Sequence, residues 1–279
     1  MLVIEFVILL FLGSIVAGAI GSLVGLGGGL VVIPILTIFL GVDIHYAIGA
    51  SIISVIATSS GAAATYVKDK MTNLRIGMFL ELATTTGAVV GAAVAAYLNS
   101  TILEIIFASI LLVSLIPLVR KIGEEIPPRQ ELKGIAKTLS LTGEYTERDG
   151  RTIEYNATNT KTGLTGMFAA GLLSGLLGIG SGTFKVISMD VAMKIPMKVS
   201  STTSNFMIGV TAAASAGIYY LRGDIDPFIA APVALGIVIG SLFGTRLLLR
   251  AKNAAVRKIF AVVLAISAIE MILLAVGFK

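Results

Sequence analysis

The chain has no cysteine and no tryptophan, a single histidine, and charge at only 13% of its positions. The lack of cysteine removes a disulfide framework, a thiolate metal site and a thiol nucleophile at once, and leaves the redox compartment unmarked. The scarcity of charge says more. A soluble domain would carry about a quarter charged side chains. In these 279 residues 56% are hydrophobic, and the charges fall between long apolar runs. That distribution marks an all-α polytopic membrane protein, with the lipid bilayer as its first partner. The net charge of +5 does not point to nucleic acid, because Lys and Arg stand at the ends of apolar segments, where topology signals belong. No metal and no cofactor is expected. The opening "MLVIEFVILLFLGSIVAGAIGS" has no basic region and carries Glu5 instead, so a retained membrane segment is expected rather than a cleaved signal.

Glycine is what the chain does have. "SLVGLGGGLVVIP", Ser22 to Pro34, sets four glycines inside apolar sequence, and "GLLGIGSGTFKVI", Gly175 to Ile187, echoes it. A constant offset of 153 positions, as from Ser51 to Ser204, aligns the two stretches. The same offset carries Ala17-Gly18 onto Ala170-Gly171, Thr58 onto Thr211 and Tyr66 onto Tyr219. It also carries Gly87 and Gly91 onto Gly240 and Gly244, and Phe107, Leu111 and Ser114 onto Phe260, Leu264 and Ser267. One register held over roughly a hundred positions is an internal duplication. Repeat 1 is assigned to residues 1–121, a polar insert to 122–162 and repeat 2 to 163–279.

Each half shows an apolar run, the glycines, a short apolar piece (Leu30–Leu40 or Thr183–Met193) and three longer runs. Those longer runs are Tyr46–Val67, Ile76–Leu98 and Ile102–Val119, then Val199–Leu221, Phe228–Leu249 and Ala254–Phe278. Each is long enough to cross a hydrocarbon core of ~30 Å as a helix. Loop charge orients them. Lys68, Lys70 and Arg75 follow the first long run of half one, whereas Arg250, Lys252, Arg257 and Lys258 follow the second of half two. Positive loops face the cytoplasm, so the halves run oppositely and both termini lie outside. The short pieces cover about half a bilayer, roughly 16 Å. Each glycine segment is therefore expected to tip a re-entrant hairpin, with two full crossings as the alternative for the first. The insert alternates in "TLSLTGEYTERDGRTIEYNAT", with Asp149-Gly150 as its turn, and predicts a small cytoplasmic β-hairpin.

Irregular backbone survives at membrane depth only where protein buries it or a wet cavity solvates it. Two hairpins entering from opposite sides bring their tips together near the midplane. There the N–H groups that open each following helix favour an anion. Pro34 is expected in the first turn of the first short helix. Candidate substrate contacts are Gly27, Gly28, Gly29, Gly180, Ser181, Gly182, Lys185, Ser51, Ser204 and Asn205. Lys185 either serves the site or is neutralised by Asp190 or snorkels inward. The hydroxyls of Ser51 and Ser204 either donate to an oxyanion or bond back to their own helix. Glu81 is a candidate carrier of a coupling proton, or a partner of Arg75. Gly87/Gly91 and Gly240/Gly244 read as helix-packing positions.

"GLGGGLVVIPIL", "AIGASIISVIATSSGAAATY" and "GLLGIGSGTF…MKVSSTTSNF", set in two halves around a hydrophilic middle, resemble the TauE/SafE family of sulfite-exporter-like permeases. The resemblance implies transport of sulfite, sulfonates or related small anions. The expectation is an alternating-access secondary transporter for a small sulfur-containing oxyanion, coupled to a proton or sodium ion, and not an enzyme. The rivals are a passive anion channel, a cation-coupled sensor using the insert, and an intramembrane hydrolase with Ser181 as nucleophile and His45 as base. The hydrolase is disfavoured because His45 is expected at the outer face, away from Ser181.

Overall fold

A computed structural model describes residues 3–24, 28–68, 72–120, 131–146, 151–248 and 253–276. Gly27, Lys70, Lys121, Arg250, Lys252 and the Asp149-Gly150 turn lie outside them. The first half comprises α1 (Val3–Val24), α2 (Gly29–Pro34), α3 (Ile44–Lys68), α4 (Leu74–Ala95) and α5 (Ser100–Arg120). A short helix α6 (Ile135–Thr138) and strands β1 (Thr142–Thr146) and β2 (Thr152–Asn156) form the middle. The second half comprises α7 (Thr160–Leu177), α8 (Gly182–Ile187), α9 (Met197–Arg222), α10 (Pro227–Leu248) and α11 (Asn253–Val276). The long helices start and stop on local chemistry. Asn73 caps α4 by accepting from the Ile76 N–H at 3.1 Å, and Asp43 caps α3 by accepting from the His45 N–H at 2.9 Å. Gly178 and Gly223, at φ 62° and 80°, end α7 and α9.

The two short helices end alike. Each runs into a π-helical turn, Ile35–Phe39 or Ser188–Ala192. The Val42 N–H then closes on the Leu36 carbonyl and the Ile195 N–H on the Met189 carbonyl, both at 3.0 Å. Pro34 is the sixth residue of α2, at its junction with the π-helical turn, and not in the first turn as expected. It does not cause that turn, because Ile187 precedes the second one. The limb before the first glycines has the length its apolar run, Leu2–Val24, predicts, whereas the one before the second is longer than the run Leu164–Leu177 suggests. α1 has 22 residues and α7 has 18, or about 33 and 27 Å of helix, and only the limbs after the glycines are short.

Packing follows the duplication. α1 lies on α10 and α4 on α7, while α3 pairs with α9 and α5 with α11. The offset that turns α1 into α7 and α4 into α10 converts the first contact into the second. Glycine makes both contacts close. A Cβ on Gly171 or Gly175 would overlap the carbonyl oxygen of Thr84 or Ala88, and one on Gly87 or Gly91 that of Phe168 or Leu172. Gly18, Gly236 and Gly240 meet the backbone of Ile237, Phe11 and Ile15 in the same way. The packing role read for Gly87, Gly91 and Gly240 therefore holds.

The outer surface is apolar: Ile8, Leu12, Leu82, Leu112, Ile116, Leu242, Phe243, Ile266 and Leu273 are all exposed. A belt of this kind is what hydrocarbon solvates and water does not. Among the described residues Leu74–Ala95 alone meets the length and hydropathy of a full crossing, with shorter apolar stretches at Ile4–Ile20, Ile44–Ser60, Ser100–Ile116, Pro227–Phe243 and Leu264–Val276.

The strands pair antiparallel, with Tyr145 opposite Ile153 and Gly143 opposite Tyr155. One face of the hairpin thus carries Gly143, Tyr145, Ile153 and Tyr155. Tyr145 and Tyr155 are buried in a cluster with Ile76 and Leu80 of α4, Met193 beyond α8, and Val199 and Met207 of α9. Asn73 pins the hairpin by donating to the Thr142 carbonyl at 3.1 Å and to the Tyr155 hydroxyl at 2.9 Å.

Candidate functional site

The two glycine breaks meet. Gly28 takes φ 76° and Gly29 begins α2. A Cβ on Gly29 would stand 2.7 Å from the Ser51 hydroxyl and 3.2 Å from both the Gly178 carbonyl oxygen and the Ile179 Cα. A side chain there would have to displace the Ser51 hydroxyl and press on the second break, so glycine favours that approach. Ser51, from α3, donates to the Gly178 carbonyl at 2.9 Å and so ties a first-half helix to the second-half break. Ser204, from α9, donates to the Gly182 carbonyl at 3.2 Å. Neither serine bonds back to its own helix. Each spends its one proton on a carbonyl of the second break, which makes both residues positioning groups there. Asn205 is half-buried on the same turn of α9.

The second break turns through Gly178 (φ 62°), Gly180 (φ 71°) and Ser181 (φ 45°). Ser181 is the counterpart of Gly28 and adopts the left-handed conformation despite carrying a Cβ. Its side chain is buried, and its hydroxyl makes no hydrogen bond. A strained backbone beside an orphaned buried hydroxyl is the kind of local cost that functional sites retain. Gly180 packs against Val55 of α3 and Ile208 of α9.

One turn further on α9, Thr211 joins two charges. Lys185, fully buried on α8, donates from Nζ to the Thr211 hydroxyl at 2.6 Å. Thr211 lies 2.7 Å from Glu81 Oε1 and 2.8 Å from the Met207 carbonyl, with one proton to give to either. Thr85 also donates to Glu81 Oε1, at 3.0 Å, whereas Glu81 Oε2 is buried without a partner. Two expectations are thereby corrected. Glu81 does not pair with Arg75, whose guanidinium instead donates to the Ser140 carbonyl at 3.1 Å. Lys185 is linked through Thr211 to Glu81, and no hydrogen bond or ion pair joins it to Asp190 among the described residues. The sequence marked Lys185 and Glu81 separately. Thr211, which connects them, was visible only as the duplicate of Thr58.

His45 belongs to a different place. Its Nδ1 is 2.8 Å from Asp43 and its Nε2 is 3.3 Å from the Leu98 carbonyl. Ser100 completes the group, donating to Asp43 at 2.9 Å. Burial pushes the Asp43 carboxyl up, but the hydrogen bonds from His45 and Ser100 outweigh it and hold the group below the ordinary range. No hydrogen bond joins His45 to Ser181 among the described residues, so the base–nucleophile pair of a hydrolase is not formed.

The family described as Sulfite exporter TauE/SafE matches residues 10–271. The chain is 30% identical over 250 residues to the probable membrane transporter protein YunE of Bacillus subtilis (strain 168), a match covering 87% of each chain. It is 25% identical over 241 residues to the probable membrane transporter protein YdhB of the same organism, covering 86% of this chain and 88% of the other. No solved structure matches.

Proposed function

The chain belongs to the sulfite exporter TauE/SafE family, membrane transporters and not enzymes, and we propose that it is a multi-pass cell-membrane secondary transporter for a small sulfur-containing oxyanion. Sulfite or an organosulfonate binds where the two glycine breaks meet, and access alternates across that site. Because α1 packs on α10 and α4 on α7, the moving units are helix groups drawn from both halves and not the sequence halves themselves. The observation that carries this reading is a buried lysine, Lys185, one helical turn past a buried, unpartnered hydroxyl, Ser181, in the second break, against which Gly29 of the first break packs closely. Lys185 attracts the anion, and Ser181 and the opening N–H groups of α2 and α8 complete its shell. The proposed architecture is two inverted repeats, with both termini outside and the insert cytoplasmic. Support comes from the loop charges and from helix contacts that map onto one another under the 153-residue offset.

Uptake of labelled sulfite into proteoliposomes tests the reading. Transport is expected to saturate, and Lys185→Ala is expected to raise the half-saturating sulfite concentration by at least about tenfold, the scale of a lost buried charge contact. Absence of uptake for sulfite, sulfonates and sulfate under every imposed ion gradient would overturn the assignment. Unitary currents far above a rocking rate would replace the carrier with a channel.

A further inference from the structure

The duplicated scaffold sets the same three positions at equivalent helices twice, and only one set is charged. Between α4, α8 and α9 stand Glu81, Lys185 and Thr211. At the equivalent positions between α10, α2 and α3 stand Ala234, Val32 and Thr58. We infer that Glu81 is the internal counter-anion of Lys185, and that the transported oxyanion displaces it while Glu81 takes up one proton. Each singly charged anion therefore moves with one proton. The inference rests on the transport reading and specifies its coupling.

Charge balance carries the argument. Lys185 and Glu81 together are neutral, and both are buried. Adding an anion beside Lys185 leaves an excess negative charge in a medium that opposes it. Protonating Glu81 restores neutrality, so bound anion and bound proton require each other. The hydrogen bonds permit the exchange without leaving an orphan. When the carboxylate withdraws, Thr211 turns its proton from Glu81 to the Met207 carbonyl, already 2.8 Å away. Lys185 keeps Thr211 as an acceptor and has further N–H groups to offer the anion. On Glu81, Thr85 continues to donate to Oε1, and Oε2, which has no partner, accepts the proton.

Among the described residues, the other ionisable groups on the elements packed around Glu81 are exposed or engaged elsewhere. α7 contributes only Lys161, exposed at its start. On α9, Lys198 and Tyr220 are exposed, Tyr219 donates to the Gly175 and Leu176 carbonyls, and Arg222 pairs with Asp224. Asp190 lies in the turn after α8 with the exposed Lys194 four residues on, and Arg75 of α4 itself is engaged by Ser140.

The test uses the full chain in proteoliposomes with an entrapped pH dye. The probes are labelled sulfite and methanesulfonate, the latter remaining singly charged at every pH used, with protein-free vesicles as blanks. For the wild-type protein, one proton is expected to enter per methanesulfonate. An inward proton gradient of one pH unit should concentrate the anion about tenfold, and a clamped membrane potential should have no effect. In Glu81→Gln the pH gradient should lose its hold, and uptake should become sensitive to potential. Thr58→Val, in the uncharged set, should remain coupled to protons. Anion transport by the wild type without proton entry, or driven by sodium, overturns the coupling and leaves the transporter assignment intact. So does a Glu81→Gln protein that still follows the pH gradient. If the wild type moves neither anion under any gradient, the transport reading fails and the coupling fails with it.

Discussion

Ser181 and Gly28 occupy the same position in the two halves and the same region of backbone space, at φ 45° and 76°. Glycine adopts that region freely, whereas serine holds it at a cost of roughly 1–2 kcal/mol. Two substitutions separate the strain from the hydroxyl. Ser181→Gly should raise the unfolding free energy by about 1 kcal/mol, while Ser181→Ala keeps the strain. Both remove Oγ, so both should weaken sulfite binding to a similar degree. Thermal unfolding together with sulfite titration measures the two effects. Equal stability for the Gly and Ala variants would show that the backbone there is relaxed. At this scale the sequence was informative about which residues matter and poor on how they are used. Ser51 and Ser204 stood out as hydroxyls beside the breaks, but that each would give its proton to a tip carbonyl depends on a contact across the fold.

Helix α7 approaches α4 closely enough that Gly171 and Gly175 touch the carbonyls of Thr84 and Ala88. Adding a methyl at either position forces the helices apart, and overpacking of this kind costs about 1–3 kcal/mol. Gly217 of α9 has open space where its Cβ would be, so Gly217→Ala should be stabilising by a few tenths to about 1 kcal/mol through helix propensity alone. Melting curves in one detergent should therefore move in opposite directions for Gly171→Ala and Gly217→Ala. A common direction would mean that the close approach of α4 and α7 contributes nothing. Elements of this size were well marked in the sequence. Apolar length set the long helices, and the offset register paired the halves, because both are properties of the chain taken locally. The full length of α7 was hidden. Its first turn is the polar "TKTG", Thr160 to Gly163, which hydropathy assigns to the loop but which the Gly163 N–H closes as helix onto the Asn159 carbonyl at 3.0 Å. The link between Glu81 and Lys185 was hidden for the same reason, since it joins residues that only tertiary packing brings together.

For the molecule as a whole, the proposed alternating access requires the Glu81–Thr211–Lys185 group to open to one side at a time, and the insert packs on α4 and α9, the helices that carry Glu81 and Thr211. Asn73 ties the β-hairpin to α4, and the Asn73 N–H donates to the Thr203 hydroxyl of α9 at 3.1 Å. Tyr145 and Tyr155 share one buried cluster with α4 and α9, and Thr203 is fully buried, joined to Tyr155 through Asn73. The insert therefore bridges α4 and α9, and under the proposed alternating access it would have to release one of them for the Glu81–Thr211–Lys185 group to open toward it. Because the chain has no cysteine, a single one reports on this without background. Thr203→Cys should resist a membrane-impermeant thiol reagent in the resting protein. Adding Tyr155→Ala removes the ring that packs over the cluster and should raise the labelling rate at least about tenfold, as expected if a protecting equilibrium is lowered by some 1.4 kcal/mol. If the rate for Thr203→Cys is already fast, or does not respond to Tyr155→Ala, the hairpin is no cover for α4 and α9 and its role is limited to linking the repeats.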